Sequence, residues 1–381
     1  MTPKQRVINA INHKQTEEVP KDLGGQSNTT LTKSALDSIN SYLGIHQQKI
    51  EIMAKHFQSV TIPKYILNKF NIDIRSVKPD RPTISKYIKE FDDGSYIDRW
   101  GVKYKPAPNG QYFDIVEHPL QNAAGSEIKT YFPFNPKHEG LKKETEDYLT
   151  IQFNKNEFAI FANITEAQIF ERSWYLRGMN DFLMDMAINK TVAYKILEKV
   201  TEIQIERITT FLRQYGNYLD VIKVSDDLAG QLNPLISPDM YREMIKPFHK
   251  IYFESIKKYT NAKLALHCCG NLRPLLPDIL ETGIDIIHPF QHSCPEMEPG
   301  MLKQEFGKDL VFWGGMDTQK FLPYASPEEV RKESLKIIKL MARNGGFIFA
   351  PTHNIQSDVP PENVVAMYSV ASSLSLEEEL D

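Results

Sequence analysis

Cysteine is scarce in this chain: three in 381 residues, at positions 268, 269 and 294, two of them adjacent. Three thiols so spaced make a poor disulfide framework, which points to a reducing cytoplasm and leaves them buried, reactive or metal-bound. Long apolar runs are missing as well. None nears the roughly 18 residues of a membrane span, and Met1–Arg6 runs into a polar helix pattern without the apolar core of a signal peptide. Positive charge is not in surplus: 45 Lys and Arg face 49 Asp and Glu, a net charge of −4, which argues against a general nucleic-acid binder. Short-period repeats are absent, and the acidic run Glu377–Glu379 reads as a solvated end. What is present is a globular balance, 41% hydrophobic and 25% charged, long enough for one large α/β barrel or two ordinary domains.

The second half has a clear rhythm. Short apolar, β-branched runs alternate with longer amphipathic stretches, the pattern of βα units around a parallel sheet. The runs are Phe158–Ile164, Val221–Asp226, Ala262–Cys269, Asp285–His288, Leu310–Gly315 and Phe347–Pro351. Helix signals lie between them: Ser237-Pro238-Asp239, the capping box Ser326-Pro327-Glu328-Glu329 with a stop at Gly345-Gly346, and Pro360-Pro361-Glu362. The first half offers Val19–Gly24 after an opening helix and one further strand between Phe57 and Val77. Eight strands over this length suit a closed (β/α)8 barrel better than an open doubly wound sheet. Residues 87 to 134 read as a β-hairpin insertion beside the barrel within one domain spanning 1–381, with turns at Asp93-Gly94, Asn109-Gly110 and Gly125-Ser126.

In such a barrel the C-terminal strand ends carry the chemistry. Leu264–Gly270 places His267 and Cys269 two residues apart, hence on one side of a strand, with Cys268 on the other. Imidazole and thiolate are preferred zinc ligands. Two buried cysteines and a hydrogen-bonded histidine would satisfy the same spacing. His353, at the end of the last run, offers a third ligand or a hydrogen-bonded pocket residue. Cys294 and His288 also fall near a strand end, and either could replace it. The paired acids Asp226-Asp227 could orient substrate or exchange protons; an N-cap and a salt bridge are the structural alternative. In Gly314-Gly315-Met316-Asp317 the glycines permit close approach of a ligand and Asp317 would face the cup, although a structural turn accounts for the motif too.

Four segments occur in order: Ser225-Asp226-Asp227 with Pro234–Pro238, His267-Cys268-Cys269-Gly270-Asn271, Trp313–Thr318, and Ala350-Pro351-Thr352-His353-Asn354. Together they resemble the uroporphyrinogen decarboxylase superfamily, and within it the zinc-dependent cobalamin methyltransferase branch. The resemblance implies a distorted (β/α)8 TIM barrel and Zn2+ held by His267 and Cys269, with His353 standing where the branch has a later cysteine. That exchange keeps a competent ligand but alters its charge and softness. True decarboxylases carry an arginine-rich loop after the first strand; here Leu23–Asn28 has no arginine, so the bidentate carboxylate anchors of a tetrapyrrole are lacking.

The expectation is a cytoplasmic methyltransferase that moves a methyl group between a methylcobamide (corrinoid) on a partner protein and a small substrate, either a thiol acceptor or a methoxy or methylamine donor. Asp226 and Asp317 are the expected catalytic positions; Gln231, Asn271, Gly315 and Asn354 would bind substrate. A homodimer is compatible with this reading, whereas nucleic-acid and membrane partners are not expected. The competing readings are a metal-independent decarboxylase, with Asp226 stabilising a protonated ring, and a non-catalytic small-molecule-binding barrel.

Overall fold

The structure, a computed structural model, describes residues 1–46, 50–54, 58–80, 85, 87–108 and 113–373. Its centre is a parallel sheet of seven strands: Ile74–Val77, Ala159–Ala167, Val221–Ser225, Lys263–His267, Ile286–Phe290, Val311–Met316 and Phe347–Pro351, each hydrogen-bonded to its neighbour in chain order. The eighth position belongs to the segment around Lys21. Asp22 N–H donates to the Phe349 carbonyl at 3.0 Å, and Asp73 N–H donates to the Lys21 carbonyl at 3.1 Å. One short segment thus joins the first strand of the sheet to the last and closes the ring. Its pairing is a single parallel bridge between Lys21 and Phe349, shorter than the strand expected over Val19–Gly24. The other first-half strand is Ile74–Val77; Phe57 lies outside the described residues.

Both faces of these strands are buried, which is why they read as continuous apolar runs. Ile222, Val224, Leu264 and Leu266 point outward into the large core beneath the helices. Alternate residues point into the pore. There Ala159, Phe161, Val221, Ala265, Ile286, Val311, Trp313, Ile348 and Ala350 form a second apolar cluster, with Phe161 edge-on to Trp313 at 5.2 Å. The opening helix, Pro3–Ile11, carries a full capping box between Thr2 and Gln5 and adds Val7 and Ile11 to that cluster. The N-terminal end of the pore is therefore stoppered with hydrocarbon, and beside it the buried Asp73 is paired with Arg6 of the opening helix.

Between the first two strands of the sheet lies a four-stranded antiparallel meander, Lys89–Glu90, Tyr96–Ile97, Lys103–Pro106 and Phe113–Glu117. The turn at Asp93-Gly94 is present, with Gly94 at φ +80°. Gly125-Ser126 instead opens the helix Gly125–Thr130, because the Glu127 carboxylate accepts the Ala124 N–H at 2.7 Å and nucleates a turn of helix. Asn109-Gly110 lies outside the described residues. A charge network pins the meander to the barrel. Arg99 pairs with Glu139 at 3.2 Å and Glu166 at 2.7 Å, and Arg207 pairs with the same two carboxylates, both at 3.1 Å. Trp100, fully buried, donates its indole N–H to Glu166 at 2.9 Å. No helix among the described residues is long and apolar enough to cross a membrane.

The hydrocarbon stopper can be tested by shortening one side chain. Ile11→Ala should lower folding stability by about 2–5 kcal/mol, the range for truncating a well-packed core residue. Urea unfolding measures it; a change below 1 kcal/mol would mean the helix does not seal the barrel.

Candidate metal centre

Above the C-terminal strand ends lies a cavity of about 490 Å³, within the roughly 300–1,000 Å³ range of small-molecule sites. His267, His353, Asn28, Ser225 and Asp227 form part of its lining, with Glu166, Glu171 and Arg172, and the meander contributes Tyr96 and Tyr104. The cavity exists because the barrel's open end is roofed by an element that the Arg99–Glu166 network holds over it.

Strand alternation does what the sequence requires of it. His267, the last residue of its strand, points into the pore and is nearly fully buried. Cys268 faces the helices, joins the outer core and accepts the Leu228 N–H on sulfur at 3.1 Å. Cys269 returns to the His267 side, its Sγ 3.6 Å from His267 Nε2. Gly270 can follow at φ +92° because it has no Cβ, which would collide with the Gly230 carbonyl. His353 arrives from the last strand, its ring centroid 6.1 Å from that of His267. One donor atom from each of His267, Cys269 and His353 lies within 4.8 Å of the other two. The three groups expected to meet over the pore do come together.

Burial, then the charge of Lys223, pushes the His267 imidazole well below its ordinary pKa; the same two causes lower His353 to about 4. Both rings are thus neutral with a lone pair to give. Burial, then the carboxylates of Asp227 and Glu171, pushes the Cys269 thiol well above its usual range, so without a cation it is a poor nucleophile. Two neutral imidazoles and a sulfur that needs a cation to ionise match the donor preference of zinc. For bond lengths of about 2.0–2.3 Å, tetrahedral zinc ligands sit roughly 3.3–3.7 Å apart. The 3.6 Å between Cys269 and His267 already has that spacing, and the residues fit the ion.

Beside the cluster, Glu171 accepts the Tyr175 hydroxyl at 2.6 Å and the Asp227 N–H at 3.3 Å, while Asp227 accepts the Cys269 N–H at 2.9 Å. Burial and mutual repulsion with neighbouring carboxylates raise the pKa of both acids, so the pair retains a proton where isolated carboxylates would be ionised. Behind them Lys223 is fully buried in the pore and donates to Asn28 Oδ1 at 2.9 Å. Asn28, whose Oδ1 also accepts from Ser27 at 3.0 Å, turns its Nδ2 to His353 Nε2 at 3.3 Å.

The remaining expected positions have other occupations. Asp226 accepts the N–H groups of Ile169, Phe170 and Glu171 at 3.2, 2.9 and 2.7 Å and the His249 ring at 2.7 Å. It caps the helix Phe170–Arg177, so its lone pairs are spent on structure and the cavity-facing acid is Asp227. Asp317 accepts the N–H groups of Gln319 and Lys320 at 2.7 and 3.3 Å, closing a turn. Asn271 ties Leu232 to Arg273, and Asn354 accepts the Thr30 N–H at 3.0 Å. Gln231 is exposed and accepts from Gln291 at 2.6 Å. A Cβ on Gly315 would meet Ile337 and Phe347, not the cavity. Cys294 sits against Gln231 at 3.8 Å, apart from the three-donor cluster.

Sequence reasoning passed over Glu166, Glu171, Arg172, Tyr96, Tyr104 and Lys223. Lys223 alone had a signal, as a charge inside the run Val221–Val224. Glu171 and Arg172 reach the cavity from the helix Phe170–Arg177, Glu166 from the end of the strand before it, and Tyr96 and Tyr104 from the meander, whose place over the pore no sequence period announces.

A family model described as "Uroporphyrinogen decarboxylase (URO-D)" matches residues 170–374, just over half of the chain. The chain belongs to the uroporphyrinogen decarboxylase family. Among curated members, the uroporphyrinogen decarboxylase of Chlorobium phaeobacteroides is 27% identical over 177 residues, 45% of this chain and 46% of that protein. The methylated-thiol–coenzyme M methyltransferase of Methanosarcina mazei is 27% identical over 139 residues, 35% of each chain. The chain thus aligns with less than half the length of these curated relatives. Among solved structures, a methyltransferase from Methanosarcina mazei superposes with a TM-score of 0.65 at 16% identity, covering 98% of both chains. That likeness establishes the shared barrel fold across nearly the whole length.

The acid pair generates a pH test. A carboxyl with a raised folded pKa contributes stability that is fully present below its unfolded value and is lost as the pH rises through the folded one. The pair's share of the stability should therefore decline as the pH rises above about 4.3, the value of an unburied glutamate, and Glu171→Gln should remove its part of that decline from the pH dependence. Denaturant midpoints across pH for the two proteins measure the difference, and parallel curves would show that the pair holds no extra proton.

Proposed function

We propose that this family member is a zinc-dependent methyltransferase that moves a methyl group between a corrinoid on a partner protein and a small substrate. The observation that carries the reading is the His267–Cys269–His353 donor cluster beneath the cavity. The three residues would hold zinc, which when bound leaves a fourth position at which a thiol is acidified or a methoxy or methylamine group polarised. A corrinoid on a carrier protein would supply or receive the methyl group.

The chain's own groups do the rest. Asp227 and Glu171, whose raised pKa values let them hold or release a proton beside Cys269, would accept the proton of an incoming thiol or return one to a departing group. Tyr96 and Tyr104, stacked at 5.0 Å on the meander, wall the cavity against water. Asn28 and Lys223 keep His353 turned to the site. The residues 1–381 act as one unit, the barrel carrying the donors and the insertion covering them.

The names of the relatives divide between decarboxylation and methyl transfer to a thiol. Cavity charge favours the second. Decarboxylation of a many-carboxylate tetrapyrrole calls for uncommitted guanidinium groups. The arginines here are committed: Arg99 to Glu139 and Glu166, Arg172 to Asp98 at 3.4 Å.

Elemental analysis of purified protein should give about one zinc per chain, lost in His267→Ala and in Cys269→Ser. With free methylcobalamin and a panel of thiols and folates, the wild type should demethylate the corrinoid, and Asp227→Asn should slow that step about 100-fold, the lower range for a lost acid–base group. Metal-free protein that decarboxylates a porphyrinogen would overturn the reading in favour of the decarboxylase. Protein inert in both assays, and indifferent to Asp227→Asn, would mark a binding barrel.

A further inference from the structure

His288 stands beside the metal cluster without belonging to it. Parallel pairing sets it directly opposite His267 on the next strand. Its ring stacks on that of His267 with centroids 5.0 Å apart, and the two Nδ1 atoms are 2.7 Å apart. The edge of Trp313 closes its other side at 5.0 Å. Both histidines are almost completely buried, so water does not compete for this contact.

A hydrogen bond between two ring nitrogens needs one proton, and the surroundings decide who holds it. His267 Nε2 faces Cys269 Sγ at 3.6 Å. To offer a lone pair there, neutral His267 must carry its proton on Nδ1. The atom in reach of that proton is His288 Nδ1, which must then be bare, leaving the His288 proton on Nε2. His288 Nε2 has no partner at hydrogen-bond distance. The tautomer is thus set from the His267 end, by the contact of its Nε2 with Cys269.

We infer that His288 is a positioning residue for the metal centre: its Nδ1 accepts the Nδ1–H of His267 and so aims the Nε2 lone pair of His267 at the site shared with Cys269. The inference rests on the zinc reading above. Metal-bound histidines are held through their second nitrogen by a carboxylate, a carbonyl or water as a rule. A neutral imidazole in that place orients the ligand without adding negative charge. Asn28 meets His353 differently, turning its amide Nδ2 toward His353 Nε2 at 3.3 Å.

Two measurements on the full-length protein test this. In chelator competition, His288→Leu should bind zinc about 10- to 100-fold more weakly, the usual effect of removing such a partner. His288→Gln, whose amide oxygen can again accept, should recover most of that loss. In zinc-loaded wild type with 15N-labelled histidine rings, His267 should show a protonated Nδ1 scalar-coupled to an unprotonated Nδ1 of His288. This second measurement decides the matter even if His288→Leu fails to fold. Unchanged zinc affinity in folded His288→Leu, or a proton found on His288 Nδ1, overturns the role of His288 alone. Wild type that binds no zinc overturns the zinc reading itself.

Discussion

The site depends on side-chain alternation along strands buried on both faces. In a closed barrel every second residue must enter the pore, and the pore has a hydrocarbon floor built by Val7, Ile11, Phe161 and Trp313. The polar residues of the site lie beyond that floor, toward the open end, where His267, His288 and Lys223 sit. A one-residue slip of the Lys263–His267 strand would bury Cys269 among the helices and turn Cys268 into the pore. Five consecutive register pairs with the Val221–Ser225 strand oppose that slip.

Electrostatics at the open end follow from enclosure. Removing water makes each unpaired charge expensive, and the wall meets this by pairing. Glu166 shows the balance: burial alone would raise its pKa, but Arg99, Arg207 and Arg172 outweigh burial and hold the carboxylate well below the usual range. Around Glu171 and Asp227 the nearby Arg172 and Lys223 do not outweigh burial, and the pair keeps a proton. The cavity lining thus carries a fixed carboxylate that anchors the meander and a protonatable pair beside the sulfur. The same residue types do structural work in one place and offer acid–base chemistry in the other, and the neighbouring guanidinium groups make the difference.

The barrel was largely legible beforehand. The six runs from Phe158 to Pro351 became six strands, since an unbroken β-branched run of four to eight residues between helix caps has few other fates. The meander was less so. Gly125-Ser126 looked like a turn and became a helix start, because the deciding contact is the Glu127 carboxylate reaching back to Ala124, and turn statistics do not contain it. Within the site, Asp226 and Asp227 are indistinguishable as letters. The helix beginning at Phe170 claims Asp226 through three N–H groups, and only Asp227 is left to the cavity.

The sequence by itself determined which residues could be metal donors and which of them share a side: alternation is a local property, so His267 and Cys269 meet whatever the rest of the chain does. Tertiary structure alone decided that His353 joins them, since it comes from a strand 80 residues further on and reaches the site only once the ring has closed. It also decided that His288 holds His267, that Asn28 holds His353, and that Glu171 sits beside Asp227. Contacts between residues far apart in the chain have no sequence period to announce them; they exist because closing the sheet brings its strand ends around one small space.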